Sequence, residues 1–100
     1  MIKHLEKEEQ FDEEIKGELV LVDFYATWCG PCSMLAPIIE EVEQETNIKV
    51  IKVDVDELPN LARRYRVMSI PTLLLFKNGE LKDVVRGYMP KKDLQNFLNK

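Results

Sequence analysis

The chain has 100 residues, 45% of them hydrophobic, and a formal net charge of −4 at pH 7. That is the size of one domain that can build its own apolar core, so residues 1–100 are read as a single domain needing neither metal nor staple. The acidic balance argues against nucleic-acid phosphates and anionic membranes as partners, and no apolar run approaches the roughly 20 residues that cross a bilayer.

Met1 to His4 reads as a short edge strand. The charged start, Met1 to Glu9, lacks an apolar signal region, which predicts a soluble cytoplasmic protein. Glu6 to Lys16 is dense in charge with Phe11 and Ile15 four apart, the pattern of a surface helix with a narrow apolar stripe, ended by Gly17. Leu19 to Ala26 is apolar without alternation, as in a strand covered on both faces. Leu35, Ile38, Ile39 and Val42 then recur at helical spacing and predict a helix from Cys32 to about Thr46, which Pro37 should kink. Lys49 to Val55 is a second β-branched strand, and Pro59 to Tyr65 a short helix. Thr72 to Lys77 and Leu81 to Arg86 flank Asn78-Gly79, a favoured hairpin turn. Pro90 opens a last helix whose Leu94, Phe97 and Leu98 share a face. Strands alternating with helices, then a hairpin and a helix, imply a mixed sheet with helices on both faces.

Both cysteines of the chain lie in Trp28-Cys29-Gly30-Pro31-Cys32. A lasting structural disulfide is disfavoured in a reducing compartment, which leaves metal binding or redox chemistry. Tetrahedral zinc wants four ligands, and two cysteines with a single remote histidine do not supply them, so no metal is assigned. His4 is read as a surface or strand-edge residue without a role. Cys29 ends a strand and Cys32 falls in the first turn of the next helix, a separation that suits a disulfide. Pro31 fits the first helical position, where its missing N–H costs nothing. The orphan N–H groups and the dipole at that helix start favour an anion, hence the thiolate of Cys29. Cys29 is thus the expected exposed attacker and Cys32 the deeper, resolving thiol. The bland alternative is a pair of inert core cysteines.

Trp28-Cys29-Gly30-Pro31-Cys32 resembles the active-site signature of the thioredoxin family. Val22-Asp23-Phe24, Pro37, Ile70-Pro71-Thr72 and Phe76-Lys77-Asn78-Gly79 match the family in order and spacing, over essentially the whole chain. The resemblance implies the α/β thioredoxin fold, a central mixed five-stranded sheet flanked by about four helices on its two faces. It also implies a thiol–disulfide oxidoreductase that reduces protein disulfides through a Cys29/Cys32 cycle. Its electron donor would be a thioredoxin reductase and its substrates disulfide-containing proteins, and a monomer is expected. With no glycine-rich phosphate loop, no cofactor is assigned.

Four further positions take roles on that resemblance. Asp23 interrupts an apolar strand on the side of Leu19, Leu21 and Tyr25, where desolvation would raise its pKa; the resemblance makes it the buried acid beneath the cysteines, taking the proton of Cys32. Lys52, otherwise a snorkelling lysine, would sit near Asp23 as an auxiliary group. X–Pro bonds in folded proteins are cis in only about 5–6% of cases, but the resemblance implies a cis Ile70–Pro71 bond facing the cysteines, with the Ile70 backbone turned out to pair with an extended substrate. Trp28, alone a plausible core aromatic, would join Gly30, Pro31, Ile70, Pro71 and Gly87 in an apolar substrate-binding patch around Cys29. Tyr25, Ser33, Ser69, Arg86 and Tyr88 depart from common family residues, and these departures bear on specificity and leave the chemistry intact. Two rivals are kept: an oxidase or isomerase relative, and a binding module in which the thiols are redox-inactive.

Overall fold

β-Branched and aliphatic residues concentrate in segments of six or seven, bounded by Gly, Pro and Asn, and those segments become the sheet. The computed structural model describes residues 1–99. Among the described residues the strands are β1 (Ile2–His4), β2 (Leu19–Tyr25), β3 (Lys49–Asp54), β4 (Thr72–Lys77) and β5 (Glu80–Arg86). The helices are α1 (Phe11–Glu14), α2 (Gly30–Thr46), α3 (Pro59–Arg64) and α4 (Lys91–Leu98). Strand order is β1-β3-β2-β4-β5; β1, β3 and β2 run parallel, and β4 and β5 are antiparallel to their neighbours. This is the expected mixed five-stranded sheet.

Side chains alternate across a strand, and β2 divides its residues between two cores. Val20, Val22 and Phe24 pack with Phe11, Ile15, Leu58 and Leu61 from the α1 and α3 side. Leu21 packs with Leu35, Ile39, Val42, Leu94 and Phe97 from α2 and α4. Asp23 shares the parity of Leu21 and therefore points toward the α2 and α4 layer, from the middle of a strand buried on both sides.

The expected helix over Glu6 to Lys16 is shorter than predicted. A 3-10 turn (Glu8–Gln10) leads into the single turn of α1, because neither has a side-chain cap and only Phe11 and Ile15 bury an apolar face. α2 begins two residues earlier than its periodicity indicates and runs unbroken through Pro37. It closes on Asn47 in the left-handed conformation, φ 57°. Asn78 and Gly79, φ 52° and 82°, make the β4–β5 turn.

Candidate active site

The end of β2 hands the chain to the start of α2, and the cysteine motif fills that junction. Cys29 is the N-cap residue of α2, with extended backbone (φ −87°, ψ 113°), and Pro31 occupies the first turn. Cys29 Sγ accepts the backbone N–H of Cys32 at 3.2 Å, so the sulfur takes the place an N-cap oxygen normally fills. The Ser33 N–H and hydroxyl both donate to the Cys29 carbonyl, at 3.1 and 3.2 Å. The first turn of α2 carries no acidic residue. Its exposed N–H groups and dipole are therefore free of a competing carboxylate, and on reduction they stabilise a Cys29 thiolate.

Cys29 and Cys32 are joined as a disulfide with Cα atoms 5.3 Å apart, inside the usual range. The expected difference in exposure between them is absent: each is 5% exposed. Both sit in a small cluster with Ala26, against which Tyr25, Val55 and Ile70 pack. What distinguishes the two sulfurs is the helix N–H bond to Cys29 and the Ile70 carbonyl oxygen 3.8 Å from it.

The Ile70–Pro71 bond is cis, as the resemblance implied. This segment is braced on both sides. Thr72, buried, donates its hydroxyl to the Ser69 carbonyl at 2.6 Å, and the Gly87 N–H donates to the Pro71 carbonyl at 2.8 Å. Gly87 has φ 91°, which a residue with a Cβ adopts only under strain. Ile70 is half-buried, but Pro71 is buried and offers little surface to a partner. Trp28 is 70% exposed, with its Nε1–H donating to Asp56 Oδ2 at 2.7 Å, and Gly30 and Pro31 are exposed. A groove of about 200 Å³ beside the cysteines is lined by Trp28, Val55, Val67, Met68, Ser69 and Ile70.

Two residues of this surface escaped the sequence reading. Met68 is 89% exposed on the groove wall and Met34 is 60% exposed one turn into α2. Their signal was positional, since each stands two residues from a site residue, and a flexible thioether suits a surface that meets varied partners. Tyr88 and Arg86 are exposed on either side of Gly87.

Asp23 is buried, and its carboxyl is pushed above the ordinary range chiefly by desolvation, against which Lys52 pulls downward. Lys52 Nζ lies 3.3 Å from Asp23 Oδ2, in agreement with the auxiliary placement. Among the described residues Oδ1 finds no hydrogen-bond partner. A buried, half-satisfied carboxyl of raised proton affinity is what a proton acceptor near neutral pH requires.

The family sequence model described as Thioredoxin matches residues 2–100. A thioredoxin of Listeria monocytogenes is 49% identical over 90% of this chain and 89% of its own length. One of Staphylococcus haemolyticus is 51% identical over 90% and 88%. Among solved structures, a mutant thioredoxin from Halobacterium salinarum superposes with a TM-score of 0.91 at 37% identity, covering 98% of this chain and 88% of that one. Mitochondrial thioredoxin 3 of Saccharomyces cerevisiae, in its oxidized form, gives 0.89 at 34% identity over 98% and 93%.

Proposed function

The chain belongs to the thioredoxin family and is a thiol–disulfide oxidoreductase, and within that activity we propose that Cys29 attacks, Cys32 resolves and Asp23 receives the proton. The observation that carries the order of attack is the bond from the Cys32 N–H to Cys29 Sγ at the start of α2. A sulfur held there is the better stabilised anion, and the thiolate is the nucleophile in exchange. Cys29 thiolate displaces one sulfur of the target disulfide, which leaves as a thiolate, and a mixed disulfide forms. Cys32 loses its proton to Asp23 and attacks Cys29 Sγ; the second target sulfur leaves with the electron pair. The target gains two electrons and the Cys29–Cys32 bond stores the oxidation.

Trp28, Gly30, Pro31, Ile70, Pro71 and Gly87 form or brace the surface a substrate segment meets, with Lys52 holding the carboxyl of Asp23. Extended backbone would pair beside Ile70 while an apolar side chain enters the groove against Trp28 and Met68. The family works with disulfide substrates and a reductase; we assign the reductase role to a thioredoxin reductase, and propose a monomer acting in the cytoplasm. A lone redox pair, with no other cysteine to staple the fold, suits a reducing compartment.

Insulin-disulfide reduction tests the order. Cys29→Ser should reduce activity to background and form no mixed disulfide, whereas Cys32→Ser should accumulate a covalent substrate adduct through Cys29. An adduct that forms through Cys32 in the Cys29→Ser variant would reverse the assignment. Activity retained in both variants would remove the dithiol cycle altogether.

A further inference from the structure

Parallel register sets three polar side chains in a row across the sheet. His4 on β1 is opposite Lys52 on β3, and Lys52 is opposite Asp23 on β2. Paired residues of parallel strands share a face, so all three point into the α2 layer. A cleft of about 390 Å³ between β1, β3 and α2 opens on this row, lined by Ile2, His4, Ala36, Ile39, Glu40 and Lys52. Tyr25 closes the row from β2. Its hydroxyl is 3.3 Å from His4 Nδ1, the two rings meet edge-on with centroids 6.2 Å apart, and Lys52 Nζ stands 4.6 Å over the Tyr25 ring. Tyr25 also packs against the cysteine cluster. One connected set of groups thus leads from an exposed imidazole to the buried carboxyl.

We propose that His4 is a positioning residue for the reaction: its imidazole, held by the Tyr25 hydroxyl in one row with the Lys52–Asp23 pair, couples solvent protonation to the state of Asp23. The inference rests on the role given to Asp23 above. The neutral ring can accept the Tyr25 O–H at Nδ1, and the charged ring can only donate there, so gaining a proton reverses that hydrogen bond. The same event adds a positive charge two strands from Asp23, about 10 Å away by strand spacing. The charge favours the ionised carboxylate, and His4 is among the groups that lower the Asp23 pKa against desolvation. Lys52 comes from β3, Glu40 from α2 lines the cleft, and Asp54 and Glu57 act on Tyr25; Leu73 of β4, opposite Asp23, is apolar, and Lys91 of α4 is engaged with Glu41 and Glu45.

A histidine that serves only packing would leave the Asp23 carboxyl midpoint where it is. Carbon-13 NMR titration of the reduced protein reads the Asp23 carboxyl directly. His4→Gln should raise the Asp23 carboxyl midpoint by about half a pH unit. In a Tyr25→Phe background, which keeps the ring under Lys52 but removes the hydroxyl that positions the imidazole, the same His4→Gln change should move the midpoint by less than half as much. A shift below about 0.1 unit, or one untouched by Tyr25→Phe, would overturn the proposal. A mixed disulfide resolved at wild-type rate by Asp23→Asn at pH 7 would remove Asp23 from the reaction, and His4 with it. An Asp23 midpoint indifferent to His4→Gln, with slowed resolution in Asp23→Asn, would remove His4 and leave Asp23 in place.

Discussion

Two ion pairs in this molecule tie distant segments together and are built on opposite plans. Arg64 on α3 grips Asp12 on α1 with both terminal nitrogens, at 2.7 and 3.2 Å, on side chains 48% and 64% exposed. Lys52 meets Asp23 at a single 3.3 Å contact between side chains 12% and 3% exposed, with the second carboxylate oxygen unpartnered. The better geometry is on the surface, where solvent screening leaves it little to contribute. The poorer geometry is inside, where an unsatisfied charge is costly. Holding the fold together does not account for the buried pair. The proton-accepting role proposed for Asp23 asks for a carboxyl that is not tied down by two hydrogen bonds, and its incomplete satisfaction fits that task.

The largest effect should follow from removing Lys52. In Lys52→Met the Asp23 carboxylate stays buried without its cation, a change that costs about 3 kcal/mol when the acid is ionised. The Asp23 pKa is raised in the folded protein, so the folded state holds more protons, and stability falls as pH rises from the unfolded value of about 4 through the folded one. Losing Lys52 extends that window upward. Urea denaturation at pH 8 should show the full loss, and at pH 4 almost none. A loss equal at both values would mean that Lys52 acts by packing and not by charge.

Asp23→Asn comes next and has the opposite sign. Without an ionisable group the penalty at high pH disappears, so this variant should exceed wild type by about 1–2 kcal/mol at pH 8, with the advantage fading toward pH 4. It should also resolve mixed disulfides more slowly at neutral pH, read by stopped-flow release of the target thiol. Stability gained and rate lost together are what a carboxyl retained for chemistry predicts. A variant that is less stable at pH 8 would show the buried pair to be a net support of the fold.

The fold and the reacting pair were legible early for a physical reason. Apolar runs without alternation, such as Leu19 to Val22, declare strands buried on both faces, and a cysteine placed just ahead of Gly-Pro declares a helix start. The alternation that turns Asp23 inward is equally local. Tertiary register was not legible. Nothing near His4 or Lys52 in the chain says that parallel pairing will set them in one row with Asp23: His4 carries no role in the sequence reading, and only the resemblance places Lys52 near Asp23. Coverage of Cys29 was misjudged for a similar reason: Tyr25, Val55 and Ile70, from three separate segments, close over the disulfide. The resemblance supplied the cis Ile70–Pro71 bond, which base rates for prolines argue against.

The smallest expected effect belongs to the surface pair, and Asp12 is the side to remove. Arg64 also stands 5.7 Å from the Phe11 ring and 5.1 Å from the Tyr65 ring, so Arg64→Ala would delete packing along with charge. Asp12→Ala leaves those stacks in place and isolates the ion pair. Arg64's hydrogen bonds hold the Asp12 carboxyl below its ordinary value. Its contribution is therefore present above the unfolded value of about 4 and is lost as pH falls through the lowered folded one. At pH 7 the substitution should cost about 0.5 kcal/mol, and 1 M salt should erase most of that. Lys52→Met, shielded in the sheet, should lose little of its effect in the same salt. If Asp12→Ala proved as costly and as salt-resistant as Lys52→Met, burial would not be what separates the two pairs, and the under-satisfied geometry at Asp23 would need another cause.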